Sequence, residues 1–149
     1  MTVQQEKNDM SDRLKNVRQF IEALPHSRDL SMELVDVTDG EAAISMPYDP
    51  RLIGDPETGV ISGGAVSALM DTCCGAAVMA HPDNAGGTAT LDLRIDYMRA
   101  ATPGQSITTR AICYHVTRSI AFVRATATDD DTANPVASAT GAFTVEGAR

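Results

Sequence analysis

The stretch that decides the fold runs from Gly59 to Pro82 and reads G-V-I-S-G-G-A-V-S-A-L-M-D-T-C-C-G-A-A-V-M-A-H-P. Between Gly63 and Ala80 only Ser67, Asp71 and Thr72 are strongly polar. A helix that is apolar all round has no face for water and must be covered on every side. At about 1.5 Å per residue it spans roughly 27 Å, enough to cross a small domain. Ser62 is placed to cap its start, and His81-Pro82 stops it, because proline cannot continue a helix. One carboxylate, Asp71, sits in the middle. A lone acid there is costly unless it is paired, neutral or at a wet cleft.

The run reaches the length of a membrane span. Gly63, Gly64 and Gly75, many alanines and the central Asp71 make it a poor one, and no second apolar run of that length exists. The reading is a buried central helix, not a membrane segment. The 149 residues suit one domain with a real core, and a hydrophobic content of 43% fits a globular chain. The first nine residues, M-T-V-Q-Q-E-K-N-D, hold no apolar run of the signal-peptide kind, so a cytoplasmic location is expected. A formal net charge of -8 argues against nucleic-acid binding but leaves room for an anionic ligand held by a local patch. Cys73, Cys74 and Cys113 form neither a C-x-x-C pair nor an even set, so packing thiols in a reducing compartment are expected.

Outward from the helix, residues 1–9 read as a flexible N-terminus and 10–146 as a single domain. Leu14, Val17, Ile21 and Leu24 recur at helical spacing over 10–24, closed by Pro25. Residues 29–38 read as a strand whose apolar phase slips near Leu34, as a bulge would cause. Asp39-Gly40 is a two-residue hairpin turn before a strand at 41–47. Residues 48–61 form a long loop. In the strand after the helix, Ala89, Leu91, Leu93, Ile95 and Tyr97 alternate with Thr90, Asp92, Arg94 and Asp96, which puts Thr90 on the face opposite Leu91. Residues 105–116 and 119–128 make a hairpin around Thr117-Arg118. Asp129 to Pro135 is a solvated turn, and 136–145 is the last strand. Ala121, Val123, Ala125 and Ala127, then Ala137, Ala139 and Gly141, leave two strand faces small enough for a helix to lie close. The fold class is α+β, an antiparallel sheet curved around one long helix.

No G-x-S-x-G elbow, H-E-x-x-H or phosphate-binding glycine loop is present, and His26, His81 and His115 form no metal cluster. What remains is Ser62-Gly63-Gly64 and Asp71. The first turn of a helix offers free N–H groups and a positive dipole end. Two glycines there either admit a ligand carbonyl to the backbone, an oxyanion-hole design, or ease packing of helix on sheet. Spacing alone leaves both readings open.

The combination resembles the hotdog-fold thioesterases, in particular the phenylacetic-acid-degradation type (PaaI-like) acyl-CoA thioesterases. The residues that carry the likeness are Ile53-Gly54-Asp55-Pro56, Gly59-Val60-Ile61-Ser62-Gly63-Gly64, Leu69-Met70-Asp71-Thr72, Asp96-Tyr97-Met98 and Ala139-Thr140-Gly141-Ala142-Phe143. It covers roughly 28–146. The resemblance implies a hotdog fold and hydrolysis of an acyl-CoA thioester to acid and CoA, with CoA as part of the substrate and no separate cofactor or metal. It implies Asp71 as general base or nucleophile, the Gly63 N–H as oxyanion donor, and Thr90 as a hydroxyl that orients water or the acid. Ser62 stands where the family usually has His, and Asp55 where Asn is common. Ser62 still caps the helix but cannot donate from the place of an imidazole, so a non-catalytic acyl-CoA or aromatic-ligand binder on the same fold is the alternative. Gly64 and Asp55 fall in the substrate-binding region, and Arg118 at the hairpin tip and Arg51 in the long loop are the candidates for the CoA phosphates.

One base and one oxyanion donor suffice for a thioester, since a thiolate with a pKa near ~8.5 leaves with little help. Gly63 and Asp71 are eight residues apart on one helix, roughly 12 Å along its axis. Both must come within about 3 Å of one thioester carbonyl. The spacing therefore predicts a site shared between two chains of a homodimer, or of a dimer of dimers.

Overall fold

The computed structural model describes residues 1–147. The elements in order are α1 (Val3–Ala23), α2 (Pro25–Asp29), β1 (Glu33–Thr38), β2 (Glu41–Met46), β3 (Ile53–Asp55), β4 (Val60–Ile61), α3 (Gly63–Met79), β5 (Thr90–Tyr97), β6 (Ile107–Val116), β7 (Ile120–Thr128) and β8 (Ala137–Thr144). Helix α3 is the apolar run within Gly59–Pro82. Leu69, Met70, Cys73, Cys74, Ala76 and Ala77 on it are wholly shielded from solvent.

The cover it needs comes from an antiparallel sheet in the order β1-β2-β6-β7-β8-β5. Its inner face is small where the helix lies: Ala121, Ala125 and Ala127 on β7, and Ala137 and Ala139 on β8, are buried. The backbones approach closely enough for the Cys73 thiol to donate to the carbonyls of Ala42 and Thr109, at 3.4 and 3.3 Å. This is the hotdog arrangement, a curved sheet around a central helix. Burial pushes the Cys73 thiol up to about 12 and the Cys113 thiol up to about 11, so neither forms a thiolate at neutral pH and both serve packing. Among the described residues, no helix is long and apolar enough to cross a membrane.

Three boundaries differ from the sequence reading. Helix α1 begins at Val3, not at residue 10, because the Thr2 side chain caps it by accepting the Gln5 N–H. Gln4, Gln5, Glu6 and Lys7 are sound helix formers that need no burial, so polarity there marks a solvated helical turn. Pro25 follows the end of α1 and also opens α2, where its missing N–H costs nothing. The first strand starts at Glu33, since 29–32 complete α2 and a turn in which Ser31 has a φ of 56°. The expected slip near Leu34 is a bulge between Leu34 and Asp36, and Asp39-Gly40 makes the hairpin turn with Gly40 at a φ of 73°. The 48–61 loop holds a single turn at Pro50–Leu52 and the β3–β4 hairpin.

The turn after β7 is also corrected. Asp129 is not solvated: its carboxylate is buried and receives both Arg99 guanidinium nitrogens, at 2.6 and 2.8 Å, and the Thr102 N–H at 3.0 Å. The Arg99 hydrogen bonds hold its carboxyl far below the ordinary 3.8. A depressed folded-state pKa gives stability that is complete above the unfolded value and is lost as the pH falls through the folded one. The protein should therefore lose stability progressively below about pH 4. Asp129→Ala should lower the melting temperature at pH 7 by about 5–10 °C. It should also flatten the acid limb of melting temperature against pH, as thermal scans in buffers from pH 3 to 7 would show.

Candidate active site

The middle of α3 places Asp71 against the edge strand β5. Thr90 Oγ1 donates to Asp71 Oδ1 at 2.7 Å. The strand alternation puts Thr90 on the opposite face, and this expectation is overturned by a bulge. The β5–β8 register shifts between Thr90 and Asp92, so Thr90 pairs with Phe143 while Leu93 pairs with Gly141. Leu91, the extra residue, is thrown outward and is 57% exposed, and Thr90 takes the inward position that strict alternation assigns to Leu91. Gly141 permits the kink, since a Cβ there would lie 2.4 Å from the Asp92 carbonyl oxygen. The sequence signal is thus Gly141, across the sheet from the residue it frees.

Asp71 and Thr90 stand on the wall of a pocket between α1, α3 and β5, whose other lining includes Phe20, Ile21, Gly75, Ala76 and Phe143. The pocket is apolar apart from this hydroxyl–carboxylate pair and the neighbouring Thr72 and Thr88. A half-buried acid at its edge is the wet cleft, with a hydrogen-bonded partner, that a lone acid on such a helix requires.

The N-terminal turn of α3 is a second locus. Ser62 Oγ accepts the Gly64 N–H at 3.2 Å, and the Ser62 carbonyl accepts from Ala65 and Val66. Gly64 is thereby engaged in the cap, and the exposed Gly63 N–H is the helix donor that these bonds leave over. Tyr97 and Ser67, to which the sequence assigns no site role, fix this turn. The Tyr97 hydroxyl donates to the Gly63 carbonyl at 2.8 Å and accepts from Ser67 Oγ. The signal available was spacing, because Ser67 lies one helical turn from Gly63. Gly63 faces a separate groove, lined by Val60, Tyr97, Met98 and Ala100, and not the Asp71 pocket.

The other expected binding residues are dispersed. Asp55 accepts the Thr58 hydroxyl at 2.6 Å and the Glu57 N–H at 3.1 Å, so its carboxylate closes the β3–β4 turn, and the Thr58 bond holds it below the ordinary carboxylate range. Arg51 is paired with Asp49 at 2.7 Å beside the start of α3. Arg118, in the β6–β7 turn, lies toward the other end of the helix, where Gly40 joins Ala80 to Cys113. Within one chain the two arginines do not converge.

An apolar central helix wrapped by a curved sheet, with a hydroxyl-bound acid in its middle, defines a hotdog protein. The family description "Thioesterase superfamily" matches residues 58–136, more than half of the chain, and the chain belongs to that superfamily. A protein from Pseudomonas aeruginosa is 38% identical, with a TM-score of 0.78, over 89% of this chain and 98% of its own. The PaaI protein of the phenylacetic acid degradation operon of E. coli shares the fold at 17% identity and a TM-score of 0.81, over 93% of this chain and 96% of that one. A hypothetical thioesterase from Streptococcus pneumoniae, solved with coenzyme A, does so at 22% identity and a TM-score of 0.68, over 79% and 88%. No functionally curated protein matches.

The cap is testable on its own. Ser62→Ala should cost about 1 kcal/mol of stability, read from the denaturant midpoint, while Ser62→Asp, which also caps, should hold it within a few tenths.

Proposed function

We propose that this protein is an acyl-CoA thioesterase whose active sites are shared between two chains of a homodimer. The observation that carries the reading is the Thr90–Asp71 hydrogen bond at the edge of an apolar pocket. Superfamily membership supports the reaction class, and the coenzyme A held by the Streptococcus pneumoniae protein supports the substrate class.

The acyl group occupies the apolar pocket, so the thioester carbonyl lies at Asp71. Thr90 holds Oδ1, and Oδ2 acts on water. The carboxylate accepts a proton as the water oxygen bonds to the carbonyl carbon. The resulting oxyanion is held by a Gly63 N–H at the positive end of α3. Its collapse breaks the carbon–sulfur bond, and the CoA thiolate leaves and takes up the proton. Direct attack by Asp71 on the carbon is the variant of this step, followed by hydrolysis of the anhydride.

The Gly63 N–H belongs to the second chain. Asp71 and Gly63 lie eight residues apart on one helix and line different pockets. A two-fold axis that sets Gly63 of one chain against Asp71 of the other crosses α3 at right angles near Ser67. It runs the two helices antiparallel and carries Arg51 of one chain toward Arg118 of the other, giving the CoA phosphates a bipartite cradle. The side of the molecule near this axis exposes Leu91, Tyr97 and Met98 on or beside edge strand β5, at 57, 51 and 60%, among the charged Asp92, Arg94 and Asp96.

The test is free-thiol release from a panel of acyl-CoAs. Asp71→Asn should reduce turnover at least about a hundredfold with little change in melting temperature. Gly63→Pro removes the N–H at a position that accepts proline: Ser62 is extended at φ -55°, ψ 135°, and a Cβ on Gly63 lies 3.4 Å from the Tyr97 ring. Each variant alone should be nearly inactive. Co-refolded at random, they should recover up to about a quarter of wild-type activity, because half the dimers hold one intact site of two. Near-normal turnover in Asp71→Asn would remove the acid from the mechanism. Demonstrated heterodimers without recovered activity would remove the shared site.

A further inference from the structure

The Asp71 pocket runs along α3 for two turns, from Asp71 past Gly75 to Met79, roofed by Phe20 of α1 and floored by Phe143 of β8. Its volume is about 160 Å³. A cavity of about 150 Å³ lined by Leu, Ile and Phe holds one benzene molecule. The pocket therefore covers a single ring or a chain of about six carbons, and the rest of a longer chain runs out of it into solvent.

Gly75 shows that this space is kept open. It lies inside a helix, where glycine is disfavoured relative to alanine. Packing does not require it, since an added Cβ would sit 3.9 Å from both Phe143 Cε1 and Thr88 Cγ2, which is ordinary contact. Gly141 is the contrast, because there the neighbouring backbone forbids any side chain. At Gly75 the space that a side chain would take is pocket. Phe20, 48% exposed on α1, covers the same space from the solvent side.

We infer that Gly75 and Phe20 determine acyl specificity, limiting the acyl length that adds to binding to about six carbons or one ring. The inference rests on the thioesterase reading for its substrate, but it is tested without hydrolysis. S-ethyl-, S-hexyl- and S-dodecyl-CoA thioethers, which cannot be cleaved, are titrated calorimetrically into the full-length protein. Wild type should bind the hexyl ligand at least about tenfold more tightly than the ethyl one, as burial of four methylenes allows, and should gain nothing further with dodecyl. Gly75→Val should reduce the ethyl-to-hexyl gain below about threefold, within the range that pocket methylenes command. Phe20→Ala, a change on a half-exposed helix face, should extend the gain to dodecyl. A folded Gly75→Val with an unchanged hexyl gain, or a wild type that favours dodecyl over hexyl, overturns the inference. If Gly75→Val does not fold, an unaltered chain-length profile in Phe20→Ala overturns it instead. Thiol release is read separately, so a protein that cleaves no thioester yet shows these shifts refutes the catalytic reading and keeps the pocket.

Discussion

A helix without a polar face can exist in water only if something closes around it, and most of this molecule is the means of closing. Helix α3 carries too little bulk to fill a wide gap. The cover must come near, and it comes near through alanines on β7 and β8 and through the backbone carbonyls that the Cys73 thiol reaches. The same closeness leaves few places where a charge can sit. Asp71 is tolerated because it lies where the edge strand β5 ends the wrap and Thr90 meets it with a hydroxyl. The acid and its helix therefore belong to one constraint: complete burial on the sheet side, a cleft at the edge.

How far the site was legible follows from where its information resides. Ser62 caps α3 and Gly63 and Asp71 lie on it, and local rules of capping and apolar periodicity locate them without knowledge of the rest. Thr90 was legible only through family likeness. Its inward orientation depends on a bulge, and a bulge depends on the partner strand, on Gly141 fifty-one positions away. Alternation read along β5 alone gives the wrong face. Asp129 failed for a similar reason: in sequence it opens a polar turn, and only the fold brings Arg99 to it. Tyr97 looked like the inward end of an alternating strand, yet it works through its hydroxyl on the Gly63 carbonyl.

The fold was more legible than the site because it rests on patterns with a period. The small strand faces, the slip at Leu34 and the Asp39-Gly40 turn are each visible within ten residues, and each reappears in the structure. The start of α1 did not, since a polar helix facing solvent has no apolar period to betray it; Thr2 as a cap was the available cue.

Strand β5 is an edge strand, yet both of its ends are fastened. At one end Thr88 and Ala89 exchange hydrogen bonds with Thr144, and at the other Arg99 ties the chain to Asp129 and the Asn134 carbonyl. An edge held in this way is restrained against fraying at both ends. Fixing a loose backbone costs about 1–2 kcal/mol of conformational entropy per residue, a cost that would otherwise be set against any strand or ligand docking there. In this chain it is met during folding, so the outer edge of β5 is preorganised before anything arrives.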